Sequence, residues 1–303
     1  MREIELKSRA KINLTLDVVG KREDGYHLLE TVMQSLKLHD RIIMSKLDVD
    51  EIQIKSNLPW LPCDERNLAH KGVKLMKERF QIKEGVHISM SKRIPVSAGL
   101  GGGSSNCAAA MVGMNRLFSL GLRRFELEKL AAEIGSDIPY CIRRGTVLGT
   151  GIGTELKNIT PCPSCFVVLA KMPVSVSTVT VYKGLDLNQI SEHPSAKKME
   201  KAMQSKDIVA MGQALGNVLE SVTMERFPRI KDMKETFIEL GAKGALMSGS
   251  GPTVFALFES YEEARQVANT VKRQYGLKEV FVTETFQELS YQQRMTKGGN
   301  AYE

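Results

Sequence analysis

Ile4 and Leu6, then Ile12, Leu14, Leu16 and Val18, alternate with polar neighbours, the two-residue period of a half-buried strand. Asp24-Gly25 adds a turn signal, so the chain is expected to begin β-rich. Beyond Asp64 and Glu65 the period lengthens. Leu68, Val73, Met76 and Phe80 fall near helical spacing, with Lys and Arg gathering toward the end as the helix dipole favours. His87-Ile88-Ser89-Met90 predicts a strand that runs into IPVSAGLGGGSSNCAAAMVGMNRLF, where glycines and serines break the pattern before an alanine-rich, helix-forming run. A further amphipathic helix is predicted over 125–134, stopped at Gly135.

Gly145, Gly149, Gly151 and Gly153 then fall within nine residues, and Pro161 and Pro163 mark a boundary. The expected division is an N-terminal domain over 1–160 and a C-terminal domain over 161–286. In the second half, strands are predicted at 166–170, 245–247, 253–258 and 280–282, with helices over 228–240 and 261–275. A hairpin followed by a helix and a returning strand predicts an α+β sandwich. From Gln287 to Glu303 the chain is polar and aperiodic, and a frayed or disordered tail is expected there.

With 303 residues, 42% of them hydrophobic and 25% charged, the chain has the composition of an ordinary globular protein of about two domains, which excludes collagen, coiled coil and general disorder. The net charge of +7 favours anionic ligands, but it is dispersed, and the 6% aromatic content argues against RNA binding. No segment resembles a signal peptide or a membrane span. Cys63, Cys107, Cys141, Cys162 and Cys165 make an odd count, which suits a reducing compartment. A cytoplasmic protein without nucleic-acid or membrane partners is therefore expected. Cys162-Pro163-Ser164-Cys165 is half of a zinc ribbon without its second half.

Gly99-Leu100-Gly101-Gly102-Gly103-Ser104-Ser105 carries the most chemistry. Between a strand and a helix, such a run lets backbone amides converge on an anion at the helix N-terminus, while the two serines offer hydroxyls to a phosphate or to Mg2+. The plainer reading is a flexible, serine-capped turn. The segment is neither GxxxxGK[ST] nor GxGxxG, since Ser104 stands where the last glycine would be. Ser248-Gly249-Ser250-Gly251 is ordinary hairpin chemistry by itself and a second phosphate nest when paired with the first loop. Lys11 would ordinarily be a surface lysine and Asp137 a helix-cap or turn residue. No GxSxG elbow and no HExxH occur, so hydrolytic readings lack support.

Four segments taken together, Ala10-Lys11-Ile12-Asn13-Leu14, Pro95 to Ser105, Gly135-Ser136-Asp137-Ile138-Pro139 and Met247 to Thr253, resemble the GHMP kinases in order and spacing. Lys21-Arg22-Glu23-Asp24-Gly25-Tyr26-His27 is similar to the branch of that superfamily whose substrate carries a cytidine diphosphate group. The resemblance, covering about residues 5 to 283, implies a ribosomal-S5-like N-terminal α/β domain, a ferredoxin-like C-terminal sandwich and a site in the cleft between them. It further implies ATP-dependent phosphorylation of a substrate hydroxyl in the non-mevalonate isoprenoid route. Asp137 would be the base and Lys11 would hold the hydroxyl. Asn67, Pro95, Val96, Gly99, Leu100, Gly101, Gly102, Gly103, Ser104 and Ser105 would hold ATP, with Mg2+ on its phosphates and on Ser105. Asn13, Tyr26, His27, Thr178 and Tyr182 would form the cytidyl pocket, and Ser248, Gly249, Ser250 and Gly251 would close over the substrate phosphates.

Asn106, Met172 and the run Gly149 to Thr154 depart from the pattern of many relatives and bear on substrate fit rather than on the reaction class. Another small-molecule kinase of the superfamily, of homoserine or mevalonate type, is the first rival, and Tyr26-His27 disfavours it because those substrates have no base to stack. A non-catalytic nucleotide sensor is the second, disfavoured by the joint presence of Lys11 and Asp137. A monomer or weak homodimer is expected.

Overall fold

A computed structural model describes residues 2–287. Its first half is built around one long hairpin, β1 (Glu3–Lys21) and β2 (His27–Leu47), joined through the Asp24-Gly25 turn and paired antiparallel from Glu3↔Ser45 to Lys21↔His27. Register shifts between Arg9 and Lys11, between Asn13 and Thr15 and between Val18 and Gly20 interrupt this ladder. Irregularities of this kind re-aim side chains at sheet positions used for function. Here two of them bracket Lys11 and Asn13.

The chain continues through β3 (Ile52–Ser56), α1 (Leu68–Phe80) and β4 (Gly85–Ser91), with β3 and β4 parallel. It then forms α2 (Gly102–Leu117), α3 (Arg124–Ala132), α4 (Asp137–Arg143), β5 (Thr146–Thr150) and β6 (Glu155–Asn158). Strand order in this sheet is β3-β4-β2-β1, with β5 pairing β2 and β6. Helix α2 is buried from Ser105 through Met114 and again at Leu117. Its alanines let it lie close to α1 and the sheet, and Met44, Val73, Met76, Ile88 and Met111 share the resulting core. A helix apolar on all sides belongs in an interior, and its N-terminus therefore opens at a fixed place.

The second half comprises β7 (Phe166–Lys171), α5 (Thr178–Gly184), α6 (Ala196–Gln204), α7 (Ile208–Ala214), β8 (Gly216–Asn217), α8 (Glu220–Arg226), α9 (Pro228–Glu239), β9 (Gly244–Met247), β10 (Thr253–Phe258), α10 (Tyr261–Tyr275) and β11 (Val280–Glu284). Strands β11-β7-β10-β9 form an antiparallel sheet in the order 4-1-3-2, the ferredoxin-like arrangement. Val254, Ala256, Phe258, Met233, Phe237 and Val271 pack this sheet against α9 and α10.

The two halves are not separated by a clean seam. Gly216-Asn217 pairs with Thr15-Leu16 as a parallel addition to the first sheet, and Ile12, Leu14 and Val32 share a core cluster with Val167, Leu169 and Phe255. That continuity fixes the cleft between the halves. Of the tail expected from Gln287 onward, Gln287 itself donates from its amide to the Cys162 carbonyl. The rest of that tail lies outside the described residues.

Candidate active site

Lys11 projects from β1 beside a ladder irregularity, and its backbone N–H donates to Leu100 O at 3.0 Å, which ties the strand to the glycine loop. Its ammonium donates to Asn13 Oδ1 at 2.9 Å and lies 3.3 Å from Asp137 Oδ2. Asn13 in turn donates to Thr31 Oγ1 at 2.8 Å, and Thr31 donates to Thr15 O at 2.7 Å. Lys11 is 6% exposed at its side chain whereas Asp137 is 43% exposed. The cation is thus held from below, and the carboxylate at the first residue of α4 remains open to a ligand.

Gly101 precedes α2 at φ 67°, a left-handed conformation that a glycine adopts without strain. A Cβ there would also come 2.8 Å from Lys11 Cγ. No side chain caps α2 and no acidic residue occupies its first turn. Its leading N–H groups therefore lack a side-chain partner, as a helix start that takes an anion requires. Gly99, at φ 74°, packs so closely on the second loop that a Cβ would sit 2.2 Å from Ser248 O.

Lys11, Asn13, Thr31, Ser136, Asp137, Gly99, Gly101, Thr178, Tyr182, Gly249 and Ser250 line one cavity. It opens into a second one lined by Asp24, Gly25, Tyr26, His27, Val179 and Lys183, with Leu29, Ser136, Ile152, Thr178 and Tyr182 shared by both. Thr178 and Tyr182, four apart on α5, present one face to both cavities. The His27 and Tyr182 rings lie 5.2 Å apart, tilted by 34°. Burial, with help from Lys21, pushes the His27 imidazole below its usual range. Burial and the Asp137 carboxylate push the Tyr182 phenol up, so it stays protonated.

Two family models match the chain, "GHMP kinases N terminal domain" over residues 67–145 and "GHMP kinases C terminal" over 199–277. A 4-diphosphocytidyl-2-C-methyl-D-erythritol kinase of Lachnospira eligens is 46% identical over 286 residues, spanning 94% of this chain and 99% of that protein. A kinase of the same name from Brevibacillus brevis is 47% identical over 92% of this chain and 95% of its own length. The chain belongs to the 4-diphosphocytidyl-2-C-methyl-D-erythritol kinase family. A crystal structure of a kinase of that kind superposes with TM-score 0.80 at 29% identity, covering 93% of this chain and 99% of the other. A homoserine kinase from Cytophaga hutchinsonii superposes at 0.74 with 19% identity, which speaks to the fold alone.

Within this kinase fold, not every residue expected at the site faces it. Ser105 is 3% exposed, and its hydroxyl accepts from Ser8 at 2.8 Å. The expected metal-facing hydroxyl is therefore turned inward, and half-buried Ser104 is the serine left beside the cradle. Ser248 is likewise buried and donates to Gly99 O at 2.9 Å. It joins the two glycine loops instead of facing a ligand. Asn67 caps α1 by accepting from Ala69 N–H and donates to Pro62 O at 2.8 Å, which leaves one N–H and one lone pair for a nucleotide. Pro95 is buried at the loop entry, Tyr26 is 63% exposed on the rim, and Gly251 shapes its turn by donating to Ser248 O.

Thr31, Ser136 and Ile152 were missed by sequence reasoning, because a buried threonine in a strand or an isoleucine between glycines carries no signal of its own. A buried group beneath the loop was also missed. Lys92 pairs with Asp40, and Asn106 Nδ2 donates both to Asp40 Oδ2 and to Ser8 Oγ at 2.8 Å.

Proposed function

We infer that this kinase transfers the γ-phosphoryl group of ATP to a hydroxyl of 4-diphosphocytidyl-2-C-methyl-D-erythritol, a step of the non-mevalonate isoprenoid pathway. The observation that carries this reading is the Lys11–Asp137 pair, 3.3 Å apart where the anion cradle meets the aromatic-lined pocket. The names of the relatives support the substrate. So does the aromatic rim, since a cytosine needs a surface on which to stack.

Phosphoryl transfer asks a protein chiefly for alignment and for positive charge around the transferring oxygens. The first turn of α2 supplies N–H donors, Lys11 supplies charge, and Asp137 takes the proton from the attacking hydroxyl. Neutral His27 offers one donor and one acceptor to the cytosine edge, with Tyr182 and Tyr26 flanking the base. Thr178 and Ser250, hydrogen-bonded at 2.9 Å, face the same cavity and contact the substrate's diphosphate side.

Mg2+, which neutralises charge on the phosphates when bound, arrives on ATP. Of the loop's two serines, Ser104 is the one left beside the cradle to meet it. Among the described residues no cluster of three or more His, Cys, Asp or Glu side chains gathers to hold an ion by itself. No helix among them is long and apolar enough to cross a membrane. A cytoplasmic location is supported by five free cysteines, four of them buried.

ATP consumption measured with the cytidyl erythritol substrate, with homoserine and with mevalonate tests the reading. Turnover confined to the first is expected, and turnover with either of the others in its place would overturn it.

A further inference from the structure

The glycine loop stands over a buried, charged group to which the reaction assigns no part. Asp40, on β2, is fully buried. Its Oδ1 accepts the backbone N–H groups of Arg93 at 2.7 Å and Ile94 at 2.8 Å. Its Oδ2 accepts from the Lys92 ammonium and from Asn106 Nδ2. Asn106 Oδ1 accepts from Lys92 Nζ at 2.8 Å, and its second N–H reaches Ser8 Oγ, which donates on to Ser105. Residues 92–94 lead into the loop, and residues 105 and 106 lie in the first turns of α2, into which the loop runs. One carboxylate therefore holds both ends of the phosphate-binding segment.

The arrangement is costly unless it is needed. Removing two charges from water is repaid only when every donor and acceptor is matched, and hydrophobic residues of the same volume would fill the space as well. Here the matching is complete at both carboxylate oxygens and at both ends of the Asn106 amide. The Lys92 ammonium also lies 3.4 Å from the Cβ position of Gly102, directly beneath the first turn of α2.

We propose that Asp40 is a positioning residue for the phosphate donor, clamping the entry and the exit of the glycine loop through Lys92 and Asn106 so that the α2 amides meet the nucleotide phosphates in register. This rests on the assignment of that loop to ATP. The base-binding end of the cleft shares none of these contacts, so the effect is confined to one substrate.

The test is a pair of amide–carboxylate exchanges. Asp40→Asn keeps the oxygen that accepts from Arg93 and Ile94 but turns an NH2 toward two donors, Lys92 and Asn106. Adding Asn106→Asp restores a single carboxylate against Lys92 and lets residue 40 donate to residue 106. Steady-state kinetics with each substrate varied, alongside thermal melting, should show the ATP KM raised about tenfold or more by Asp40→Asn, since misplacement by about 1 Å can cost up to about 10²-fold. The cytidyl KM should stay within about twofold, and the double variant should return the ATP KM to within about threefold of wild type.

Equal rises in both KM values, a lowered melting temperature with both KM values unchanged, or a double variant worse than the single one would each overturn the clamp. If Asp40→Asn does not fold, the double variant decides. Wild-type-like ATP KM in it supports the proposal, and failure to fold or a tenfold rise overturns it. Should the wild-type protein not turn over the cytidyl substrate, ADP affinity by calorimetry on the same variants replaces the KM, so the fate of the substrate assignment and that of the clamp stay distinguishable.

Discussion

The phosphate end of the cleft is made of backbone, with Gly101 at φ 67° leading into the uncapped first turn of α2, whereas the base end is made of side chains drawn from distant segments. His27 comes from the start of β2 and Tyr182 from α5, more than 150 positions later, and they meet only through the tertiary fold. A backbone cradle tolerates little besides glycine and recognises only charge and geometry. A side-chain pocket selects a particular base and can be retuned one residue at a time. On the function proposed above, affinity for the common donor belongs to the first end and substrate choice to the second, with Lys11 and Asp137 at the junction.

The largest effects should appear at that junction. Asp137→Asn keeps the shape of the side chain and removes the base, so turnover should fall by roughly 10² or more with little change in either KM. Lys11→Met should cost a further-reaching but comparable loss, about 3 kcal/mol by the standard of electrostatic donors at a transition state. Because the two groups are 3.3 Å apart and act together, the double variant should be little worse than the poorer single one. Survival of more than about half the rate in Asp137→Asn, when a placed base contributes at least about 10²-fold, would make this residue a helix-start residue only. The two ends would then have no meeting point.

Next in size is a block at the phosphate end. Gly103 is exposed, and a Cβ there would meet only Leu68 Cδ1, at 3.4 Å. Valine outranks glycine in a helix, so Gly103→Val should leave the melting temperature unharmed while raising the ATP KM about tenfold, about 1.4 kcal/mol. Gly101→Val is a poorer probe, since positive φ and the Lys11 contact would disturb the junction as well. A KM rise for the cytidyl substrate of the same size in Gly103→Val would erase the distinction between the ends.

At the base end, Tyr182→Ala should raise the cytidyl KM by about 1 to 3 kcal/mol, the range for a base on an aromatic platform. The ATP KM should hardly move, and Tyr182→Phe should retain most of the affinity. An equal rise for both substrates in the alanine variant would assign the ring to the second core, against which it also packs.

The smallest effect concerns pH. Burial disfavours the His27 imidazolium, so its pKa lies below the usual value of about 6.5. The neutral ring therefore persists as pH falls through the ordinary histidine range, and the cytidyl KM should stay flat there and rise only at lower pH. A rise centred at or above the ordinary value, measured at saturating ATP, would show that the neutral ring is not the binding form.

The amino-acid sequence by itself determined the elements whose reasons are local. The glycine run must turn sharply before an alanine-rich helix, the SGSG segment must join two apolar strands, and the 261–275 helix carries its own serine cap and closing glycine. It also carried enough of a kinase pattern for Lys11 and Asp137 to be singled out, 126 positions apart. Strand β2 went unread because its segment Thr31–Leu36 is buried on both faces and so does not alternate. Tertiary structure alone decided which of the two loop serines is buried. Ser104 and Ser105 are equivalent in sequence, but α2 is sunk into the core, and a helix advances by about 100° per residue. Ser105 is therefore turned onto Ser8 while Ser104 is left beside the cradle. The joining of Asp40, Lys92 and Asn106 was decided in the same way, because a hydrogen-bond network between three separate segments has no periodicity in the sequence and exists only where their backbones meet.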